Sequence, residues 1–413
     1  MTTPSVETPA PRHVVALPPA LLVTGVTLAV ALALELAVLG PGGRPALGDI
    51  PGRFLAWRLH PSLVPYGGGP VEYPVVIGYV AWITVWFGRR ATEFFLVNSA
   101  VAAALALGVT ALIRQRSGPR IWRWAAGVPL ALYAFHNWDL VAIAPALLGL
   151  YAFERAHDRS AGALIAIGAS AKVFPALLLP PLVVVRWQAG DRRGAVRLSG
   201  AFILVTLLLN GPIALRSWHA WTYPMSFQGG RAPTWASTWY WLFRAPALRG
   251  LLAHHLTTAA DLAFVVALAA ALVVISARAV RHHLGAMEIA AAVFGVFLLA
   301  NKVYSPNYDL WLVPFFALLP ISRRVWIGYC ASDLAIFVLV YGHFHGQWPS
   351  STVLAVLPFL VVLRSVAIVA MVLTALRVGT RGVADVAGDP RLPPGPGPTV
   401  RIGGPGSAIA PDR

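Results

Sequence analysis

Two carboxylates and two lysines are the groups whose type and placement in this chain suggest chemistry. Asp49 and Glu72 lie in the stretch from about Pro41 to Arg90, where LGDIPGRFLAWRLHPSLVPYGGGPVEYPVV combines aromatics, prolines and a Gly-Gly-Gly run. The 413 residues are 58% hydrophobic and only 12% charged, so a polar loop of unusual composition stands out. Loops held on a rigid scaffold carry much of protein function, and a carboxylate within reach of a hydroxyl can take its proton. Lys172 in SAKVFPALLLPP and Lys302 in ANKVYSPNYDLW are the two lysines beside thirty arginines. Each stands at the turn of an apolar hairpin, and each precedes a hydrophobe, an aromatic and then a proline. A compact ammonium suits a lipid-linked phosphate. The plainer reading is a long side chain snorkelling at a membrane surface.

Further groups join these four. In His136-Asn137-Trp138-Asp139, Asn137 and Asp139 can bond sugar hydroxyls, or they can cap the helix that follows. The stretch 215–255 holds SWHAWTYP, FQGGRAPTWASTWYWLF and His254-His255. Its aromatic density fits an interfacial belt or a carbohydrate platform, and Arg231 after Gly-Gly could hold a phosphate. HExxH, Walker, GxSxG and DxD patterns are absent from the sequence, so neither a cofactor nor a metal is expected. Cys330 is the single cysteine and lies in an apolar run, which excludes an internal disulfide.

The elements that must position these residues are membrane spans. Several apolar runs approach or exceed the roughly 20 residues that cross a bilayer, so the fold class is an all-α multi-span bundle. The net charge of +16 is carried by arginines between apolar runs. That is the positive-inside pattern of cytoplasmic loops, not a nucleic-acid surface. Residues 1–15 read as a cytoplasmic segment, 16–376 as the membrane domain, and 377–413 as a disordered Pro/Gly/Arg-rich cytoplasmic tail.

Orientation by arginine gives about twelve crossings: 16–39, 93–113, 121–135, 138–154, 160–171, 173–186, 198–214, 256–277, 286–301, 308–320, 325–342 and 351–375. The run 73–87 is only 15 residues, and a span there would turn Arg114, Arg116, Arg120 and Arg123 outward. It is therefore expected as a juxtamembrane helix closing an outer segment, 40–92, with its aromatics at headgroup level. Loop 215–255 is the second outer segment. Arg364 falls in mid-span and must face the bundle interior or a cavity.

VEYPVVIG (71–78), HNWDL (136–140), ASAKVFPALLLPP (169–181), NGPIAL (210–215) with RAPTWASTWYWL (231–242), and ANKVYSPNYDLWLVP (300–314) resemble glycosyltransferase family 87, over about residues 15–345. These are integral-membrane enzymes of the GT-C type, many of them actinobacterial. The resemblance implies transfer of mannose from a polyprenyl-phosphate donor to a glycolipid or glycan acceptor at the outer face of the cell membrane. It also implies an acidic general base in the first outer loop, a position held here by Asp49. Glu72 and Tyr73 match the family's Glu-Tyr-Pro, and Lys172 and Lys302 match its lysine motifs, the second of which carries Ser305 and Tyr308. The family form KVYSPQY reads KVYSPNYD here, with Asn307 and an added Asp309. Sugar transfer from a lipid donor is the reading adopted. A transporter or flippase of lipid-linked sugars, and a GT-C enzyme using another sugar such as arabinofuranose, are the alternatives.

Overall fold

A computed structural model describes residues 14–40, 44–45, 48–57, 59–60, 66, 71–242 and 256–386. The Gly-Gly-Gly run, His254-His255, nearly all of the N-terminal segment and the tail after residue 386 lie outside them. The described chain is helical apart from two two-residue strands, Leu39–Gly40 and Arg44–Pro45, paired antiparallel. In order the helices are α1 (Leu17–Ala37), α2 (Asp49–Ala56), α3 (Val75–Thr84), α4 (Ala91–Ser117), α5 (Ile121–Ala125), α6 (Val128–Tyr133), α7 (Asp139–Glu154), α8 (Asp158–Ala171) and α9 (Leu179–Gln188). They continue as α10 (Arg192–Arg216), α11 (Trp218–Gly229), α12 (Thr238–Leu242), α13 (Leu256–His282), α14 (Ala286–Ala300), α15 (Val313–Leu318), α16 (Arg323–Phe344) and α17 (Ser350–Val386). Short 3-10 turns at Phe174–Leu178 and Pro306–Trp311 lead into α9 and α15.

Six stretches are long and apolar enough to cross a membrane: α1, Ala91–Ala125, α10, most of α13, α16 and Ser350–Arg377. Their surfaces invert the pattern of a soluble helix. On α1 the large exposed residues are Leu22, Val26, Val30 and Leu34, one apolar stripe at helical spacing, while Thr24, Thr27 and Glu35 are buried. On α10 and α13 the exposed faces carry Ile203, Leu204, Leu207, Leu208 and Leu262, Val265, Val266, Val273, Val274. A bilayer makes that arrangement favourable: hydrocarbon accepts the leucines, and polar groups gain by meeting one another inside. Thr24 and Thr110 hydroxyls bond at 3.0 Å between α1 and α4, Trp124 donates to Thr110, and Thr27 donates to the Ala125 carbonyl. Small residues let helices approach closely. A Cβ on Gly162 of α8 would lie 2.1 Å from the Leu198 carbonyl oxygen of α10.

Several expected spans are broken. Gly127 and Pro129 divide 121–135 into α5 and α6, and 308–320 is a 3-10 turn followed by the six residues of α15. The chain breaks at Lys172 as expected, since α8 ends at Ala171 and the 3-10 turn begins at Phe174. Helix α3 has ten residues, a rise of about 15 Å, half a hydrocarbon core of about 30 Å. It packs against α4, α8 and α10. Helix α17 continues past residue 376 to Val386.

The two ends of the bundle differ. At one end arginines serve helix termini and carboxylates: Arg120 and Arg123 donate to the carbonyls of Leu318, Ala317 and Phe316 at the end of α15, Arg116 pairs with Glu154, and Arg186 and Arg197 both hold Asp158. At the other end the termini of α2, α7, α8, α11, α13 and α14 surround a cavity.

Candidate functional site

The cavity measures about 490 Å³. One wall is carboxylate-bearing. The Asp49 backbone N–H donates to the His136 carbonyl oxygen at 2.8 Å, which docks the start of α2 on the α6–α7 turn. A Cβ on Gly48 would come within 2.6 Å of that same oxygen, so only glycine permits the approach. The Tyr73 hydroxyl donates to Asp49 Oδ2 at 2.8 Å. Arg53, one helical turn after Asp49, lies 3.6 Å from Oδ1, and the Asp49 side chain keeps 41% of its surface exposed. Glu72 is held more tightly. Trp57 Nε1 donates to its Oε2 at 2.6 Å and Arg53 pairs with its Oε1 at 2.5 Å, leaving 11% exposed. Trp57 stacks on Trp138, and Tyr73 meets both edge-on, so an aromatic block supports this wall.

Three further cations, Lys172, Arg231 and Lys302, also line the cavity. Lys172, in extended conformation after α8, pairs with Asp139 and sits 5.4 to 5.6 Å from the ring centroids of Tyr73, Tyr308 and Trp311. Asp139 is fully buried at the start of α7, where Asn307 Nδ2 and Trp311 Nε1 each donate to it at 2.7 Å. Asn137 Oδ1 accepts from the Asp139 N–H at 3.0 Å and so serves as the turn's cap. Lys302 Nζ is 2.8 Å from the Gly229 carbonyl oxygen of α11 and 2.7 Å from Asp261 Oδ1 of α13. The segment after Arg231 is fastened to the Lys302 turn. Thr234 N–H donates to the Lys302 carbonyl, the Thr234 hydroxyl donates to the Tyr304 carbonyl, and Trp239 donates to the Ala300 carbonyl. Arg364 of α17 explains its mid-span position here: it is buried, pairs with Asp309, donates to the Ala236 carbonyl and stacks on Tyr304.

The structure brings Asp49, Glu72, Tyr73, Asn137, Lys172, Arg231, Lys302, Ser305 and Tyr308 to the lining of this one cavity. Asp139 is not among the lining residues; it lies beneath Lys172 as that ammonium's counter-ion. The added Asp309 is likewise buried, in the Arg364 cluster with Tyr304 and Tyr329. Sequence reasoning did not single out Arg53, Gln228 or Asn301, which also line the cavity. For Arg53 a signal was present, the i,i+4 spacing from Asp49.

Charge in the lining is nearly balanced, with Arg53, Lys172, Arg231 and Lys302 against Asp49, Glu72 and Asp261. Burial and the adjacent Asp49 carboxylate push the Tyr73 hydroxyl well above its ordinary range, so it stays a donor to Asp49. For His136 burial acts downward, but the Glu35 carboxylate 3.4 Å away outweighs it and the net shift is upward. Arg231 makes no ion pair among the described residues; its guanidinium is 3.4 Å from Gln228 Oε1. Apolar surface from Val173, Phe174, Met225, Phe227, Phe264 and Phe297 adds to the lining.

No protein-family model matches this chain, and no curated protein matches it.

Proposed function

We propose that the cavity transfers a hexose, mannose in the reading favoured by the sequence motifs, from a polyprenyl-phosphate donor to a hydroxyl of a glycolipid or glycan acceptor. In this reading the chain crosses the cell membrane about twelve times, with the cavity at the outer face and the arginine-rich end in the cytoplasm. The observation that carries it is one cavity lined together by the carboxylates Asp49 and Glu72, the cations Lys172, Arg231 and Lys302, and apolar side chains. Sugar transfer between lipid carriers needs all three.

Asp49 is the better proton acceptor of the two carboxylates. Both Glu72 oxygens are engaged at short distance, whereas Asp49 is engaged firmly through Oδ2 alone and is the more exposed. The acceptor O–H gives its proton to Asp49 as its oxygen bonds the anomeric carbon. The bond from that carbon to the phosphate oxygen breaks on the opposite face, which inverts the centre. The donor phosphodiester carries one negative charge and the departing monoester gains a second. Cations already aimed at that oxygen stabilise the charge as it develops. Lys302 and Arg231 are placed for this, and the aromatic and apolar side chains beside them suit the first isoprene units. Glu72, held by Arg53 and Trp57, and Asn137 remain to bind sugar or acceptor hydroxyls, with Tyr308 stacked on Trp311 as a platform.

Translocation of a lipid-linked sugar is the second reading. Glu35 and Asp333 favour it, since both are buried inside spans and keep oxygens without hydrogen-bond partners, as transport sites do. Neither lines the cavity.

Membranes bearing the chain, supplied with radiolabelled polyprenyl-phosphate mannose, decide the matter. Wild type yields labelled product and Asp49→Asn yields almost none at equal folded amount. Undiminished transfer by Asp49→Asn would remove Asp49 as base, and uptake of label without any product would favour translocation.

A further inference from the structure

The two lysine turns look alike in sequence but are neutralised in different ways. The counter-ion of Lys172, Asp139, is completely buried and is also held by Asn307 and Trp311. Nothing can take that carboxylate's place without dismantling the centre of the bundle. The counter-ion of Lys302, Asp261, has 44% of its side chain exposed, while Lys302 itself has 5%. It sits on a different helix, α13, and pairs with Lys302. Lys302 is a buried ammonium bound to one backbone carbonyl and one half-exposed carboxylate, and Arg231, which also lines the cavity and makes no ion pair among the described residues, follows two residues after that carbonyl.

We propose that Asp261 occupies the seat of a phosphate monoester or diester and is displaced when that anion binds, so that Lys302 and Arg231, and not Lys172, form the phosphate site. This rests on the reading of the cavity as a site for a phosphate-linked lipid. The physical basis is exchange. A buried ammonium without an anion carries a large desolvation cost, so Lys302 keeps Asp261 while the cavity is empty. An incoming phosphate offers more acceptor oxygens and more charge. Asp261 then turns to water, which its exposure allows. Phe264, one turn further along α13, packs on Phe297 at the same wall. The exchange therefore takes place where the apolar wall would guide a lipid phosphate.

The exchange predicts a gain of affinity on losing a charged group, whereas a merely structural Asp261 predicts a loss. The intact chain in neutral detergent is titrated with decyl phosphate and, separately, with inorganic phosphate. Asp261→Asn, and Asp261→Ser as a second variant, bind decyl phosphate about tenfold or more tightly than wild type, because a like charge at the site is removed. Lys302→Gln binds it more weakly, and adding Asp261→Asn to Lys302→Gln restores little. Equal or weaker binding by both Asp261 variants overturns the proposal. A gain of the same size in the Lys302→Gln background also overturns it, since Asp261 would then act as a distant repelling charge. Decyl phosphate binding more tightly than inorganic phosphate assigns the anion to a lipid; equal binding refutes that source. Sugar transfer is not read in these titrations. A chain that transfers no sugar but shows this pattern keeps the exchange, and one that transfers sugar without the pattern loses the exchange alone.

Discussion

Asp139→Asn separates a ligand of the sugar from a counter-ion of the scaffold. The substitution keeps shape and removes one charge from a carboxylate that is fully buried and accepts from Lys172, Asn307 and Trp311. It leaves Lys172, 9% exposed, as an ammonium without an anion. Breaking a buried pair by removing one partner costs about 3–5 kcal/mol. The Asn amide also points a donor at one of the two N–H groups that now donate to Asp139, which adds about 1–3 kcal/mol for an unmade bond. Lys172→Met removes the other partner and costs a similar amount, about 3–5 kcal/mol. The double variant removes both charges, so it should be far more stable than the sum of the two losses, with a coupling of about 3 kcal/mol. Unfolding followed by tryptophan fluorescence against denaturing detergent, for the four chains of the cycle, measures this. Additive losses, or an Asp139→Asn chain as stable as wild type with only its sugar affinity altered, would refute the counter-ion role and return Asp139 to the binding surface.

Gly48→Ala places a methyl 2.6 Å from the His136 carbonyl oxygen and must move Asp49; a shift of about 1 Å costs roughly a hundredfold in turnover, read as kcat in the transfer assay with unfolding little changed. Tyr73→Phe deletes the hydrogen bond to Asp49 and should slow transfer about tenfold, the value of one bond to a charged group; because Tyr73 is held above its ordinary range, the wild-type rate should show no loss from its ionisation up to pH 10. Arg364→Met strands Asp309 and should destabilise the chain by about 3–5 kcal/mol, seen as a lower denaturation midpoint. In a chain whose Cys330 is replaced, a cysteine at position 89 should react with a membrane-impermeant thiol reagent added outside, and protection there would make α3 a crossing.

The sequence pattern carried much of the fold because a bilayer imposes strong rules. Apolar length and arginine placement located α1 and α16 within two residues at each end and α10 and α13 within six, but stopped eleven residues short of the end of α17. They located the broken passes poorly. The elements α5 and α15 are tied together by Arg120 and Arg123 reaching carbonyls almost two hundred residues away, and such long-range satisfaction leaves no local period. The site was legible where rare residue types marked it, as with the two lysines and the Gly-Asp and Glu-Tyr-Pro loops. Asp139 shows the limit. An Asn-Trp-Asp turn reads identically whether its carboxylate faces a sugar or a buried ammonium, and only the approach of Asn307 and Trp311 from a distant part of the chain decides. Asp261 shows the converse, since nothing within α13 indicates that its partner lies at residue 302.

The clamp of Arg364 on Asp309 and Ala236 has a consequence for how the chain is made. The carboxylate wall comes from the first 140 residues and can be complete early in synthesis. Asp309 enters the bundle long before its guanidinium partner, which arrives in the last long helix. Until α17 is inserted, the Lys302 turn and the segment after Arg231 are joined by the bonds of Thr234 and Trp239 without the Arg364 clamp, and Asp309 remains buried without its base. A chain cut short before Ser350 therefore exposes an unfinished polar centre to whatever membrane protease inspects it, and its half-life should be much shorter than that of the full chain. None of the described residues lining the cavity comes from α17, so this last helix would complete the bundle from outside the site.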